Sequence, residues 1–281
     1  MASNIGGTAT LIGDPPNIMI GSAAHLSFLD FILNSGFAVI FVLIISFLCF
    51  YFIYGKNLLV TDEAIKKVML LDETKAIKDK KLMHESVIII LIVALCFIFH
   101  DQLGMQSCTI AIAAACIMLL IGKQEPEEII ASVEWPTILF FIGLFIVVGG
   151  LKKVGVITIL ANGLISITGG NVIITMLVVL WVSAIVSSFL DNIPFVATLI
   201  PMIITMQSKG IDVTPIWWAL SLGACLGGNG TLIGASANVV LSGISKNHGY
   251  PITFGQYFKI GFPMMLLSVA ICSVFLLIRF A

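Results

Sequence analysis

IGGTATLIGDPPN (Ile5–Asn17) returns 221 residues further on as LGGNGTLIGASAN (Leu226–Asn238). Seven of thirteen aligned positions are identical: Gly6/Gly227, Gly7/Gly228, Thr10/Thr231, Leu11/Leu232, Ile12/Ile233, Gly13/Gly234 and Asn17/Asn238. Each copy sits inside an otherwise membrane-length apolar stretch. Glycine weakens a helix, so each copy is expected to interrupt one, over 3–21 and 215–242. Free backbone groups at such an interruption are tolerated in a membrane only where they face protein or a polar cavity. Two glycine-rich packing helices would account for the glycines. They would not account for Asp14, Asn17, Asn229, Thr231, Ser236 and Asn238 at the same breaks. Paired interrupted helices in two halves mark the binding site of a secondary transporter.

The rest of the chain agrees with this setting. Of 281 residues, 59% are hydrophobic and 10% charged, against about 25% charged in a soluble domain. The expected fold class is all-α, a polytopic membrane protein. Predominantly apolar runs that read as spans occur at 36–54, 87–103, 107–122, 136–151 and 256–280, of which 107–122 and 136–151 are short. With a net charge of −1 there is no basic surface to follow a nucleic-acid backbone, so nucleic acid is excluded as a partner. The six cysteines are scattered through apolar segments without metal-ligand spacing and read as small buried hydrophobes. No cofactor is expected.

Three regions follow: the end of a first repeat (1–55), a charged linker (56–85) and a second repeat (86–281). The linker carries seven lysines and six acidic residues around apolar positions Ile65, Val68, Met69, Ala76 and Ile77. It reads as a solvated or membrane-surface helix. Residues 171–207 form two apolar arms about Asp191, Asn192 and Pro194, the pattern of a re-entrant hairpin or of two full spans. A hairpin with a cytoplasmic linker puts ten basic residues inside against four outside, and two full spans give nine against five. KQEPEEIIASVEW (Lys123–Trp135) reads as an interfacial helix with Trp135 at headgroup level, and 154–168 lies along the opposite interface. Subtracting the repeat offset from Asp191 puts its counterpart near −30, ahead of Met1. The expectation is an N-terminally truncated transporter whose chain does not transport alone.

SNIGGTATLIGDPPN (Ser3–Asn17), WPTILFFIGLFIVVGGL (Trp135–Leu151), SSFLDNIPFVATLIP (Ser187–Pro201) and GACLGGNGTLIGASANVV (Gly223–Val240) resemble the ion-transporter superfamily. The branch is that of arsenite permeases, D-type sodium/proton antiporters, citrate permeases and the melanosomal P protein. The resemblance covers roughly the last two thirds of a typical member. It implies two inverted repeats, each with a hairpin and a broken helix, a substrate site where they meet, an elevator-like motion and a homodimer. The tip here reads Asp-Asn where dicarboxylate relatives carry Ser-Asn-Thr, which favours the antiporter, arsenite or P-protein branch.

The expected function is secondary transport of a small inorganic or organic ion, coupled to a proton or sodium gradient. Alternatives are a passive anion channel on the same fold and a truncated non-transporting fragment. Expected site residues are Ser3, Asn4, Gly6, Gly7, Thr10, Asp14, Asn17, Asp191, Asn192, Gly228, Asn229, Thr231, Ser236 and Asn238, with sodium placed at Asp191, Asn192 and Asn229. Ionisable groups within a membrane are costly and mark ion pathways, so Asp191 is the expected coupling residue, with helix capping as its structural alternative. Asp14 can equally cap the helix that restarts at Pro15. The four histidines lie near span ends and read as interfacial. An aspartyl protease would need Gly-x-Gly-Asp and a zinc protease H-E-x-x-H. Neither is present, so no enzyme is expected. Lipid is the solvent partner throughout, and the expected location is an integral, multi-pass one, in the cytoplasmic membrane if the host is bacterial.

Overall fold

A computed structural model describes residues 1–55, 62–70, 77, 79–99, 102, 104–123 and 125–281. Among these the regular structure is helical, with no strand. The sequence expectations for Lys56, Lys75, Ala76, Lys78, His100 and Leu103 lie outside the described residues.

In chain order, α1 (Ala2–Gly7) and α2 (Pro15–Ala24) are the two parts of the first broken helix. They lead to α3 (Phe28–Tyr54), which contains a π-helical turn at Ile32–Gly36. Next come α4 (Asp62–Met69), α5 (Lys80–Ile98), α6 (Ser107–Gly122), α7 (Pro126–Ser132) and α8 (Trp135–Lys153). Then follow α9 (Val156–Thr168), α10 (Val172–Phe189), α11 (Asn192–Ser208), α12 (Thr214–Gly227), α13 (Ser236–Asn247) and α14 (Phe254–Phe280). Among the described residues, five helices are long and apolar enough to cross a membrane: α3, α5, α8, α10 and α14. Helix α6 has 16 residues, about 24 Å at 1.5 Å per residue, which is short of the ~30 Å hydrocarbon core.

Local signals explain most boundaries. Ser27 and Asp30 form a capping box at the start of α3, and Thr253 and Gln256 form another at the start of α14. Asn171 Oδ1 caps α10 by accepting from the backbone N–H of Ile173 and Ile174. Prolines stand in the first turn of α2, α7 and α12, where a missing N–H costs nothing.

The chain divides into two compact units, Met1–Leu48 with Thr137–Ala281, and Cys49–Pro136. In the smaller unit α5 packs on α6. Trp135 Nε1 there donates to Ile130 O at 2.9 Å, closing α7 back onto the start of α8. Cys108 and Cys116 on α6 are exposed rather than buried. Apolar residues on an outward helix face satisfy the hydropathy of a span without entering a protein core, which is why composition misplaced them.

The larger unit is built around α12, whose residues from Pro215 to Gly227 are all buried. Helices α10 and α14 pack on it, α11 packs on α2 and α9, and α1 and α2 both touch α12. Phe31 and Trp218 meet edge to face at 5.2 Å. Helix α10 approaches α12 closely because Gly227 lacks a side chain: a methyl there would lie 2.6 Å from Ala184 O. Ser187 and Ser188 of α10 use that proximity, donating to Ala224 O at 2.6 Å and Gly227 O at 2.9 Å. Small residues and hydroxyl bonds are how helices associate in lipid.

Gly227→Ala is therefore expected to cost about 1–3 kcal/mol, as overpacking does. Gly143→Ala on α8, with nothing within 4 Å of the added methyl, should leave stability unchanged or slightly higher. Melting midpoints in one detergent compare the two; equal losses would refute the close-packing account.

Candidate functional site

The site is the place where the two broken helices meet. In each, the second helical part begins two residues before an asparagine that reaches back across the break. Asn17 Nδ2 donates to Gly7 O, Thr8 O and Thr10 O at 3.4, 3.3 and 3.0 Å. Asn238 Nδ2 donates to Gly228 O at 2.8 Å and Thr231 O at 3.1 Å. Gly228 and Thr231 are the repeat mates of Gly7 and Thr10, so the same amide clamp is built twice. Each clamp brings a donor to carbonyls at the break; Thr10 O and Thr231 O also accept from the backbone N–H of Gly13 and Gly234, whereas Gly7 O, Thr8 O and Gly228 O depend on the amide.

The backbone repeats as well. Asp14 and Ala235, the N-cap positions of α2 and α13, have φ/ψ of −145/136 and −152/144. The loops are tight: a methyl on Gly7 would lie 2.6 Å from Gly13 O, and one on Gly228 would lie 2.9 Å from Gly234 O.

The copies also hold each other. Asn4 Nδ2 donates to Asn229 Oδ1 at 3.0 Å and to Asn238 Oδ1 at 3.4 Å. Its repeat mate, Cys225, donates from Sγ to Asn17 Oδ1 at 3.4 Å. Asn17 and Asn238 are themselves mates, so each first arm grips the clamp of the other copy. Reciprocal contacts of this kind are what a two-fold relation requires. Ser221 adds a bond to Asn17 Oδ1 at 2.7 Å.

The turn between α10 and α11 joins from the second copy. Asn192 is 6% exposed, and its Nδ2 lies 3.4 Å from both Oδ1 and Oδ2 of Asp14. Although Asp14 stands at the N-cap of α2, its side chain makes no cap bond. Asp191 does the reverse: it is exposed, and its Oδ1 accepts from the Ile193 N–H at 3.0 Å, capping α11.

The structure thus brings together Asn4, Asp14, Asn17, Asn192, Asn229 and Asn238. Thr231 is buried too, but its hydroxyl donates to Ser188 O, and Thr10 enters the clamp through its carbonyl. Gly7 and Gly228 shape the breaks. Ser3, Gly6 and Ser236 are exposed, and a methyl on Gly6 would meet nothing within 4 Å. Sequence reasoning missed Thr8, Ser187, Ser188, Ser221 and Cys225. Two of these carried a signal: Thr8 and Cys225 are the repeat mates of Asn229 and Asn4.

Paired broken helices with amide-lined breaks in two halves of a membrane chain are the pattern found at transporter binding sites. The sequence model of a family described as citrate transporter matches residues 1–223, and the chain belongs to that family. An uncharacterized transporter of Mycobacterium bovis is 41% identical over 283 residues, covering 99% of this chain and 66% of its own. A 46 kDa membrane protein of Mycobacterium leprae is 39% identical over 282 residues, with the same 99% and 66% coverage. The P protein of Sus scrofa is 32% identical over 360 residues, covering 98% of this chain and 42% of its own. The chain spans just under two thirds of the length of the mycobacterial relatives, 66%. It is a multi-pass integral membrane protein of a transporter family.

Asn17→Ala and Asn238→Ala should each cost about 1–3 kcal/mol, because each strands buried carbonyls. Asn17→Asp should be no better, since it replaces the donating amide with an acceptor. Thermal midpoints of purified variants test this, and wild-type stability in both alanine variants would mean that the clamps do not hold the breaks.

Proposed function

We propose that the chain carries the substrate-binding core of a secondary transporter that moves a small ion across the membrane, driven by a proton or sodium gradient. The observation that carries this reading is the reciprocal pair of clamped breaks, where buried amides of both copies lie beside the Asp14 carboxylate. Amide oxygens and backbone groups held this way suit a hard cation or a hydrogen-bonded oxyanion. The family description and the relatives' names support transport, and citrate, arsenite and sodium are the cargoes to try first. A homodimer belongs to the same reading by resemblance.

The test is reconstitution of the full-length product of the gene into liposomes. Uptake of labelled citrate, arsenite and sodium is followed under imposed pH and sodium gradients. Saturable accumulation of one cargo is expected, collapsing when the matching gradient is dissipated by an ionophore. Flux that stays linear in concentration and ignores both gradients would make the protein a channel and overturn the reading.

A further inference from the structure

The two breaks are alike in backbone, glycine packing and clamp, so the places where the copies differ are informative. Asp14 and Ala235 occupy equivalent positions with nearly equal backbone angles. The break therefore does not need a carboxylate, as the second copy shows. Nor does Asp14 serve the helix it precedes, since no cap bond is made. No salt-bridge partner compensates it among the described residues, where the recorded ion pair is Lys81 with Glu85. The groups that face it are the Asn192 amide, the Cys225 thiol and, further off, the Asp191 carboxylate. This is a half-buried carboxylate with no cation beside it among the described residues, met by one amide and one thiol of the opposite repeat, at a position where the other copy's break stands without it.

We infer that Asp14 is the residue that takes up and releases the coupling cation, a proton or a sodium ion, with the Asn192 amide as its cover. This rests on the transporter reading above. In the empty, charged state Asn192 Nδ2 donates to both carboxylate oxygens, the arrangement observed. Once Asp14 holds a proton or sodium, that donation loses its partner. A half-turn of the amide then presents Asn192 Oδ1, which accepts from the acid O–H or joins the carboxylate around the metal ion. Loading at Asp14 is thereby read directly by the hairpin tip. Asp191 is left as the cap of α11, which accounts for its exposure.

Gradient-driven accumulation and cargo counterflow are measured in liposomes holding the full-length product, using whichever of citrate, arsenite or sodium the native protein carries. Asp14→Asn imitates a permanently neutral site, so loss of accumulation is expected with counterflow still measurable. Asp14→Glu is expected to recover a pH or sodium dependence. Asp191→Asn retains a capping side chain and should keep the gradient dependence, whatever its rate. A second measurement needs no variant: dicyclohexylcarbodiimide, which attacks protonated carboxyls away from water, should label Asp14 in the native protein. Sodium should block that labelling at constant pH if sodium is the coupling ion. If only raising the pH blocks it, the ion is the proton. Parental accumulation by Asp14→Asn, loss of coupling confined to Asp191→Asn, or labelling at Asp191 in place of Asp14 would each overturn the inference. If Asp14→Asn does not fold, the labelling decides. Absence of gradient-driven transport in the native protein would remove the functional reading and this inference with it. A coupled native protein with a coupled Asp14→Asn variant removes this inference alone.

Discussion

Two side-chain amides, those of Asn17 and Asn238, make the rest of this arrangement possible. An interrupted helix in a membrane exposes carbonyls that water cannot reach, and each unsatisfied group is expensive. Supplying the missing donors from a neighbouring segment would tie the break to whatever that segment does. Here each break is satisfied from its own downstream helix, ten and seven residues away in sequence for the outermost bonds. The loop becomes a preformed unit, and its remaining polar groups are free to face the other copy.

What they face explains why the copies cross. Each clamp amide uses its nitrogen for its own break and its oxygen for a donor from the opposite copy: Asn4 for Asn238, Cys225 and Ser221 for Asn17. An amide has just these two faces. Closing the break locally and joining the repeats are thus one interaction seen from two sides, and removing either asparagine undoes both. Gly227, buried against Ala184, and the hydroxyls of Ser187 and Ser188 fasten α10 to the same core.

Much of this was legible in the thirteen-residue repeat. Identity of Gly7, Thr10, Gly13 and Asn17 with their mates located both interruptions, because these residues hold the local geometry, and local geometry leaves local sequence traces. The reciprocal grip was not legible, since Asn4 and Cys225 are chemically unlike and only their spacing from the clamps matches. The roles of the two aspartates were hidden for a different reason. Asp191 before Asn192 and Asp14 before Pro15 look equally like caps, and which carboxylate turns back to its own helix depends on neighbours distant in sequence. Asp14 is drawn toward Asn192, 178 residues away. Cys108 and Cys116 show the same limit, because hydropathy does not separate a face toward protein from a face toward lipid.

Symmetry gives the asymmetric residues their meaning. If both copies had kept an aspartate at the N-cap, or both an alanine, the position could be explained by what a broken helix needs. With one of each on equal backbone, the helix needs neither. A carboxylate held half-buried without a counter-ion is a standing cost to the folded protein. Ala235 shows how readily that cost is avoided in the same fold. Asp14 meets the second repeat through the Cys225 thiol and the Asn192 amide, and the Asp14–Asn192 contact, at 3.4 Å, is longer than the 2.7–3.0 Å contacts Ser221–Asn17 and Asn4–Asn229. The short bonds join neutral partners that have no reason to change. The long one joins a charge to a reversible amide, and that is where a change of state has least to break.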